Sequence, residues 1–116
     1  KALADLSVII GNEVAYVQGG GGNTSVKLSS TEMAIKASGS NLKNMTVDNG
    51  YSIVDYRRLN FFLDSDVIEE DSFSEKVISF RTSTNNRPSI ETGFHSFLGK
   101  YVIHPFCICK CSYLCV

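Results

Sequence analysis

The chain has no cysteine before position 107, no excess of either charge, and no apolar run approaching the roughly 20 residues that span a bilayer. Each absence removes a class of function. Thiol chemistry is confined to the last ten residues, where Cys107, Cys109, Cys111 and Cys115 fall together. Eleven Lys and Arg against twelve Asp and Glu give a formal charge of −1, without the positive balance that binding a phosphate backbone needs. Nucleic acid is therefore not expected as a partner. The missing apolar run excludes a membrane-spanning helix, and the start, Lys1-Ala2-Leu3-Ala4-Asp5, has no secretory signal core, so a soluble cytoplasmic protein is expected. Lys1 in place of a methionine points to a chain processed or cut from something longer.

What is there is 116 residues, 43% of them hydrophobic, enough for one modest domain with its own core. Leu3, Leu6, Ile9 and Ile10 recur at helical spacing and predict one short helix that stops near Gly11-Asn12. After glycines 19 to 22, Thr24–Leu28 and Glu32–Ala37 alternate on either side of Ser29-Ser30-Thr31, which predicts an antiparallel hairpin. Gly50–Asp55 reads as a third strand, with Asp55 placed to cap a helix through Tyr56, Leu59, Phe62 and Leu63. From Asp64 to Asn86 the apolar residues are only loosely periodic, and no element is predicted. Pro88 then introduces a helix in which Ile90, Phe94, Phe97 and Leu98 are expected to form a buried stripe, with Gly99 as its stop. Tyr101–His104 follows as a strand. Strands flanked by helices, without repeat or linker, point to a single α/β domain.

Several groups are suited to chemistry. Four glycines followed by Asn23-Thr24-Ser25 at the mouth of a strand let a bare backbone approach an anion and aim N–H groups at it. The pattern is neither a nucleotide P-loop, lacking the Gly-Lys-Ser/Thr ending, nor a dinucleotide fingerprint, because a strand follows it. A flexible turn is the plainer alternative. Ser38-Gly39-Ser40 puts hydroxyls beside glycine at the end of the second strand, and Ser89 stands before a helix, as an ordinary N-cap or as an anion donor. Glu91 and His95, four apart, share one helix face as an acid/base pair, two metal ligands or a structural pair. His104 ends an apolar strand as a core histidine or a ligand. Cys107, Cys109 and Cys111 alternate on one side of an extended segment, which suits a soft metal or a disulfide.

Taken together, Gly20-Gly21-Gly22-Asn23-Thr24-Ser25-Val26-Lys27, Met33-Ala34-Ile35-Lys36-Ala37-Ser38-Gly39, and Arg87-Pro88-Ser89-Ile90-Glu91 with Tyr101-Val102-Ile103-His104 resemble the class II aldolase/adducin family. The branch they are most similar to includes rhamnulose-1-phosphate aldolase and the aldolase domains fused to short-chain dehydrogenases. The resemblance implies a three-layer α/β sandwich with a partly antiparallel central sheet, truncated here, residues 1–104 being the N-terminal part of the domain. It implies a zinc ion that polarises a phosphorylated ketose, such as rhamnulose 1-phosphate, for cleavage to dihydroxyacetone phosphate and an aldehyde. Carried over by position, Glu91 is the acid/base, Gly22, Asn23, Ser38, Gly39 and Ser89 hold the phosphate, and His104 is a zinc ligand. A homo-tetramer is implied for the intact family member.

The chain departs from the family after His104. The family has His-x-His at this strand end, and here the second place is Phe106; its third histidine would lie beyond Val116. One zinc ligand of three is thus present, so zinc is not expected to be retained and the chain is expected to be inactive. The alternatives are a non-catalytic adducin-like binding domain, a sugar-phosphate epimerase or dehydratase of the same family, and a small metal-binding protein using the terminal thiols. Residues 105–116 fit no part of the family pattern. Pro105 to Cys115 can be back-translated into codons that, read one base on, give His-Ser-Val-Tyr-Ala-Asn-Val-Leu-Thr-Cys, which looks like the family's own continuation. The cysteine-rich tail is accordingly expected to be out-of-frame translation after loss of a nucleotide near the codon of Pro105.

Overall fold

Alternating apolar residues around a hydroxyl-rich turn place a hairpin at the centre of the fold. The computed structural model describes residues 1–17, 21–65, 73–83, 86–105 and 114–115. Strands β1 (Asn23–Lys27) and β2 (Glu32–Lys36) pair antiparallel with Ser25 opposite Ile35. In their turn Ser29 Oγ accepts from the Glu32 N–H at 3.0 Å, the local bond that makes serine a turn residue. β3 (Tyr51–Asp55) joins β2, β4 (Tyr101–His104) joins the other side of β1, and β5 (Leu114–Cys115) joins β4. The order is β3-β2-β1-β4-β5, and every pair among the described residues is antiparallel.

Helices α1 (Ala2–Gly11), α2 (Tyr56–Leu63), α3 (Phe73–Ser79) and α4 (Thr92–Ser96), with a 3₁₀ turn at Leu42–Asn44, cover this sheet. On one face Leu3 and Ala4 of α1 bury against Val26 and Ala34, with Leu42 and Met45 completing the cluster. On the other, Met33, Ile35 and Val54 pack together with Tyr56 at the start of α2. The side-chain period of two explains the division: adjacent β1 residues make polar bonds to opposite layers. Thr24 Oγ1 meets Ser7 Oγ of α1 at 2.6 Å, and Ser25 Oγ meets His95 Nδ1 of α4 at 2.7 Å. The result is the three-layer α/β sandwich.

Local signals are used as expected at two helix ends. α1 stops at Gly11, where the Asn12 N–H donates to the Val8 carbonyl at 3.1 Å, and Asp55 Oδ1 caps α2 by accepting from the Arg58 N–H at 3.0 Å. Gly11 has a second reason to be glycine: a Cβ there would lie 2.4 Å from the Lys43 nitrogen and 2.8 Å from Leu42 Cβ. Gly11→Ala is expected to lower unfolding stability by about 1–3 kcal/mol through this overpacking, read as a lower urea midpoint at unchanged slope. α3 falls in the stretch without a predicted element and buries Val77.

The helix after Pro88 differs from its expectation. It spans only Thr92–Ser96, with Glu91 as N-cap and Phe97 as C-cap, so Ser89 is not the N-cap and Gly99 is not the stop. Its buried face is Thr92, Gly93, His95 and Ser96, while Ile90, Phe94 and Phe97 are 79%, 49% and 55% exposed. The reason is what the helix rests on. Its neighbours include Ser25 of β1 and Asn60 of α2, which hydrogen-bond His95 and the Ser96 carbonyl, and Gly93 admits Phe73 to 3.2 Å from where a Cβ would stand. Polar partners and a close approach, rather than hydrophobicity, choose the inward face. Phe106, Cys107, Cys109 and Cys111, with the tail reading that rests on them, lie outside the described residues.

Candidate functional site

Sheet register assembles the site. Asn23 at the start of β1 stands opposite His104 at the end of β4, and β2, antiparallel to β1, leaves the sheet at the same end. The segment before α4 is stitched to that exit: Ala37 bridges Pro88, the Ser38 N–H donates to the Arg87 carbonyl at 2.8 Å, and the Ser89 N–H donates to the Lys36 carbonyl at 3.1 Å. A cleft of about 270 Å³ opens between them, lined by Gly21, Gly22, Asn23, Lys36, Ser38, Gly39, Ser89, Ile90, Glu91 and His104. Glu91, Gly22, Asn23, Ser38, Gly39, Ser89 and His104, the residues singled out in the sequence, therefore share one cavity. Gly22 and Gly39 have φ of +80° and +77°, a region that glycine enters without strain, so both turns into the cleft depend on it.

Glu91 is the hub. Its Oε2 accepts from Asn23 Nδ2 at 3.1 Å and lies 2.9 Å from His104 Nδ1, which donates to it. Asn23 Nδ2 also reaches Ser89 Oγ at 2.5 Å, and the Ser89 hydroxyl accepts from the Glu91 N–H at 3.3 Å. Asn23 Oδ1 accepts from the Thr24 N–H at 2.9 Å, which fixes the amide orientation. One carboxylate oxygen is thus held from two sides. The side chain is still 38% exposed, so the carboxylate is fixed in direction without being sealed from the cleft.

Two further residues complete the constellation. His95, fully buried, has its Nδ1 on Ser25 and its Nε2 3.9 Å from Glu91 Oε2, without a hydrogen-bond partner. Burial pushes its pKa down to about 4, opposed by Glu91, with His104 and Lys27 adding to the fall, so the ring is neutral at pH 7. Lys36 is 6% exposed and donates to the Ala37 carbonyl at 3.2 Å. Desolvation lowers its pKa while Glu91 raises it. Sequence reasoning did not single out Lys36 as a site residue, although it stands inside the motif Met33–Gly39 that carries the family resemblance. It had weighed the Glu91–His95 pair without linking it to His104.

Residues 2–104 match the Class II Aldolase and Adducin N-terminal domain. The chain belongs to this family. The fold agrees: the N-terminal class II aldolase domain of a conserved protein from Thermoplasma acidophilum superposes with a TM-score of 0.77 at 26% identity, over 89% of this chain and 52% of that one. This aldolase-family chain thus spans about half the length of that structure. No curated protein sequence matches it. No helix among the described residues is long and apolar enough to cross a membrane.

Class II aldolases are generally metal-dependent, and the aldolase-family site has a donor set to match. Donor atoms of Glu91, His95 and His104 all lie within 4.8 Å of one another. Two imidazoles and one carboxylate, with room for a further ligand on the cleft side, suit a divalent transition metal. The buried and unpartnered His95 Nε2 is the observation that favours the fit. In the tautomer that donates Nδ1–H to the Ser25 hydroxyl, Nε2 keeps a lone pair to offer a metal. The family carry-over counts His104 as the one imidazole, while the spacing of Glu91 and His95 offers a second; the fold brings the two histidines to the same carboxylate.

Proposed function

We propose that this domain performs class II aldolase chemistry on a phosphorylated ketose such as rhamnulose 1-phosphate, with Glu91 as the acid/base. The observation carrying this reading is the meeting of a carboxylate, the His104 imidazole and a glycine–serine anion wall, from four separated segments, in one cleft, with the buried His95 imidazole within 4.8 Å of the Glu91 and His104 donors. Zinc is the metal proposed, held by His95, His104 and Glu91; when bound, it supplies a positive charge that stabilises the oxyanion of an enediolate.

The chain's own residues account for the proton and the anchor. Glu91 Oε2 is engaged by Asn23 and His104, whereas Oε1 makes none of the hydrogen bonds among the described residues and is the oxygen available to a substrate proton. His104, by donating Nδ1–H to that carboxylate, keeps it directed. Asn23 ties the same carboxylate to Ser89, so movement of an anchored phosphate at Ser89 is relayed to the base. Gly22, Gly39, Ser38 and Ser89 offer the short, unhindered surface that a phosphoryl group needs.

The partial reaction tests this without requiring a complete substrate. Protein stripped with chelator and reloaded with zinc is expected to exchange the C3 proton of dihydroxyacetone phosphate for deuterium, followed by proton NMR, and to stop when the metal is withdrawn. No exchange by folded, zinc-loaded protein rejects the reading. A non-catalytic adducin-like role is favoured by one feature, Phe106 in the family's second histidine place, and that same negative result with phosphate binding intact would support it. Epimerase or dehydratase chemistry would begin with the same proton transfer, and product analysis separates them.

A further inference from the structure

We propose that Asn49 is a self-modification site: the main-chain nitrogen of Gly50 attacks its side-chain amide with help from Asn86, releasing ammonia and leaving aspartate or isoaspartate in the turn before β3. Asn49-Gly50 is the one asparagine–glycine pair in the sequence, and asparagine amides are among the thermally weak points of a chain. Glycine matters because no Cβ shields its nitrogen. The fold also asks for it. Gly50 has a φ of +94°, and a Cβ there would stand 3.2 Å from Met45 Cα, so the turn needs glycine for its own geometry and carries the open nitrogen as a consequence.

The hydrogen bonds set this amide up for attack. The Gly50 N–H donates to Asn49 Oδ1 at 2.8 Å, so the attacking nitrogen already lies against the carbonyl. Asn86 Nδ2, whose orientation is fixed by donating to the Tyr51 carbonyl at 3.0 Å, also donates to Asn49 Oδ1, at 3.2 Å. Asn49 is exposed, and its Nδ2, the leaving group, makes none of the hydrogen bonds among the described residues. The oxygen is held and the nitrogen is free to go. Hydroxide takes the Gly50 amide proton and the nitrogen closes on Cγ; negative charge gathers on Oδ1, where Asn86 Nδ2 stabilises it as an oxyanion donor does. The Cγ–Nδ2 bond then breaks, and ammonia departs with a proton from water, restoring the hydroxide. Water opens the succinimide at Cγ to give aspartate, or at the main-chain carbonyl to give isoaspartate. The sum is amide plus water to acid plus ammonia.

The two products differ in what they disturb. Aspartate keeps an oxygen for both donors, Gly50 and Asn86. Isoaspartate routes the main chain through Cβ and Cγ, adding a methylene between the Thr46 N–H bond to the Asn49 carbonyl at 3.0 Å and the Ala37 N–H bond to the Gly50 carbonyl at 2.9 Å. Ala37 also bridges Pro88, so the added length falls on the exit of β2.

The test is ageing of the whole folded chain at mildly alkaline pH in water enriched in ¹⁸O, followed by peptide mass spectrometry. The peptide holding Asn49 is expected to gain the mass of an amide-to-acid exchange with one heavy oxygen before any other asparagine peptide does, as aspartyl and isoaspartyl forms that chromatography separates. Asn86→Ala is expected to slow this conversion by about two- to tenfold, the worth of one hydrogen bond to the developing charge. The isoaspartyl protein is expected to unfold at lower urea than the aspartyl protein. Folded wild-type protein that keeps its Asn49 amide while other asparagines lose theirs, or a folded Asn86→Ala variant that converts as fast as wild type, would overturn the proposal. If Asn86→Ala does not fold, the order of conversion in wild type decides alone.

Discussion

Glu91→Gln is expected to lower the zinc-dependent exchange of dihydroxyacetone phosphate by about 10²–10⁴-fold, the range that a positioned acid/base contributes. The substitution is nearly isosteric. Glutamine keeps an oxygen that can accept from Asn23 Nδ2 and His104 Nδ1, the two bonds that hold the carboxylate at 3.1 and 2.9 Å. What it loses is the negative charge, which the proposed zinc site also uses, and the ability to take a proton, so exchange is compared at equal zinc occupancy. The side chain is 38% exposed, so neither cavity nor buried unpaired group results, and the thermal transition should move little. Phosphate affinity should hold or rise, because the anion's repulsive neighbour is gone. Exchange falling together with phosphate affinity and thermal stability would mean that Glu91 is a structural link between Ser89 and β4 and not the base.

The second large effect is acid destabilisation through His95. Its folded pKa lies near 4 against an ordinary 6.5, because the ring is buried where a positive charge is poorly solvated. Between these values the unfolded chain binds a proton that the folded chain refuses. Stability therefore rises with pH across this window: the contribution is fully present above 6.5 and is lost as pH falls toward 4. The loss is on the order of 3 kcal/mol, a large share of what a small domain possesses. Urea titrations of chelator-treated protein from pH 7.5 to 4 should show it. His95→Gln keeps an amide for Ser25 but cannot titrate, so its stability should fall less steeply, although it starts lower. Parallel curves for the two proteins would remove His95 as the cause.

How much of this was legible in the sequence depended on whether the signal was local. Alternation around Ser29-Ser30-Thr31 placed the hairpin, Gly11-Asn12 ended α1, and Asp55 three residues before Arg58 announced a cap, because the partners sit within a few positions of one another. The family motifs named seven residues that line the cleft, yet the reason they meet is the register of Asn23 against His104, which no local spacing encodes. α4 was misjudged because hydrophobicity was taken as the guide to burial, whereas Ser25 and Asn60 offered hydrogen bonds to His95 and Ser96 and turned the phenylalanines outward. Lys36 was passed over for the same reason in reverse: a lysine at a strand end reads as solvated until Pro88 and Ser89 are seen folded over it. Burial there is made by a chain segment far along the sequence.

That register has a kinetic side. β1 and β2 can zip as soon as they exist, since a turn of a few residues joins them, but the β1–β4 ladder pairs Asn23 with His104, far apart in the sequence. Closing so long a loop costs entropy before any contact repays it, so non-local pairing is the slow event in a small antiparallel fold. The complete site needs both ladders, because His104 meets Asn23 and Glu91 only after β4 has docked. During synthesis the hairpin emerges and pairs while β4 is still unmade. A nascent chain stopped before Tyr101 therefore carries an anion wall and Glu91 without the His104 imidazole that completes the donor set.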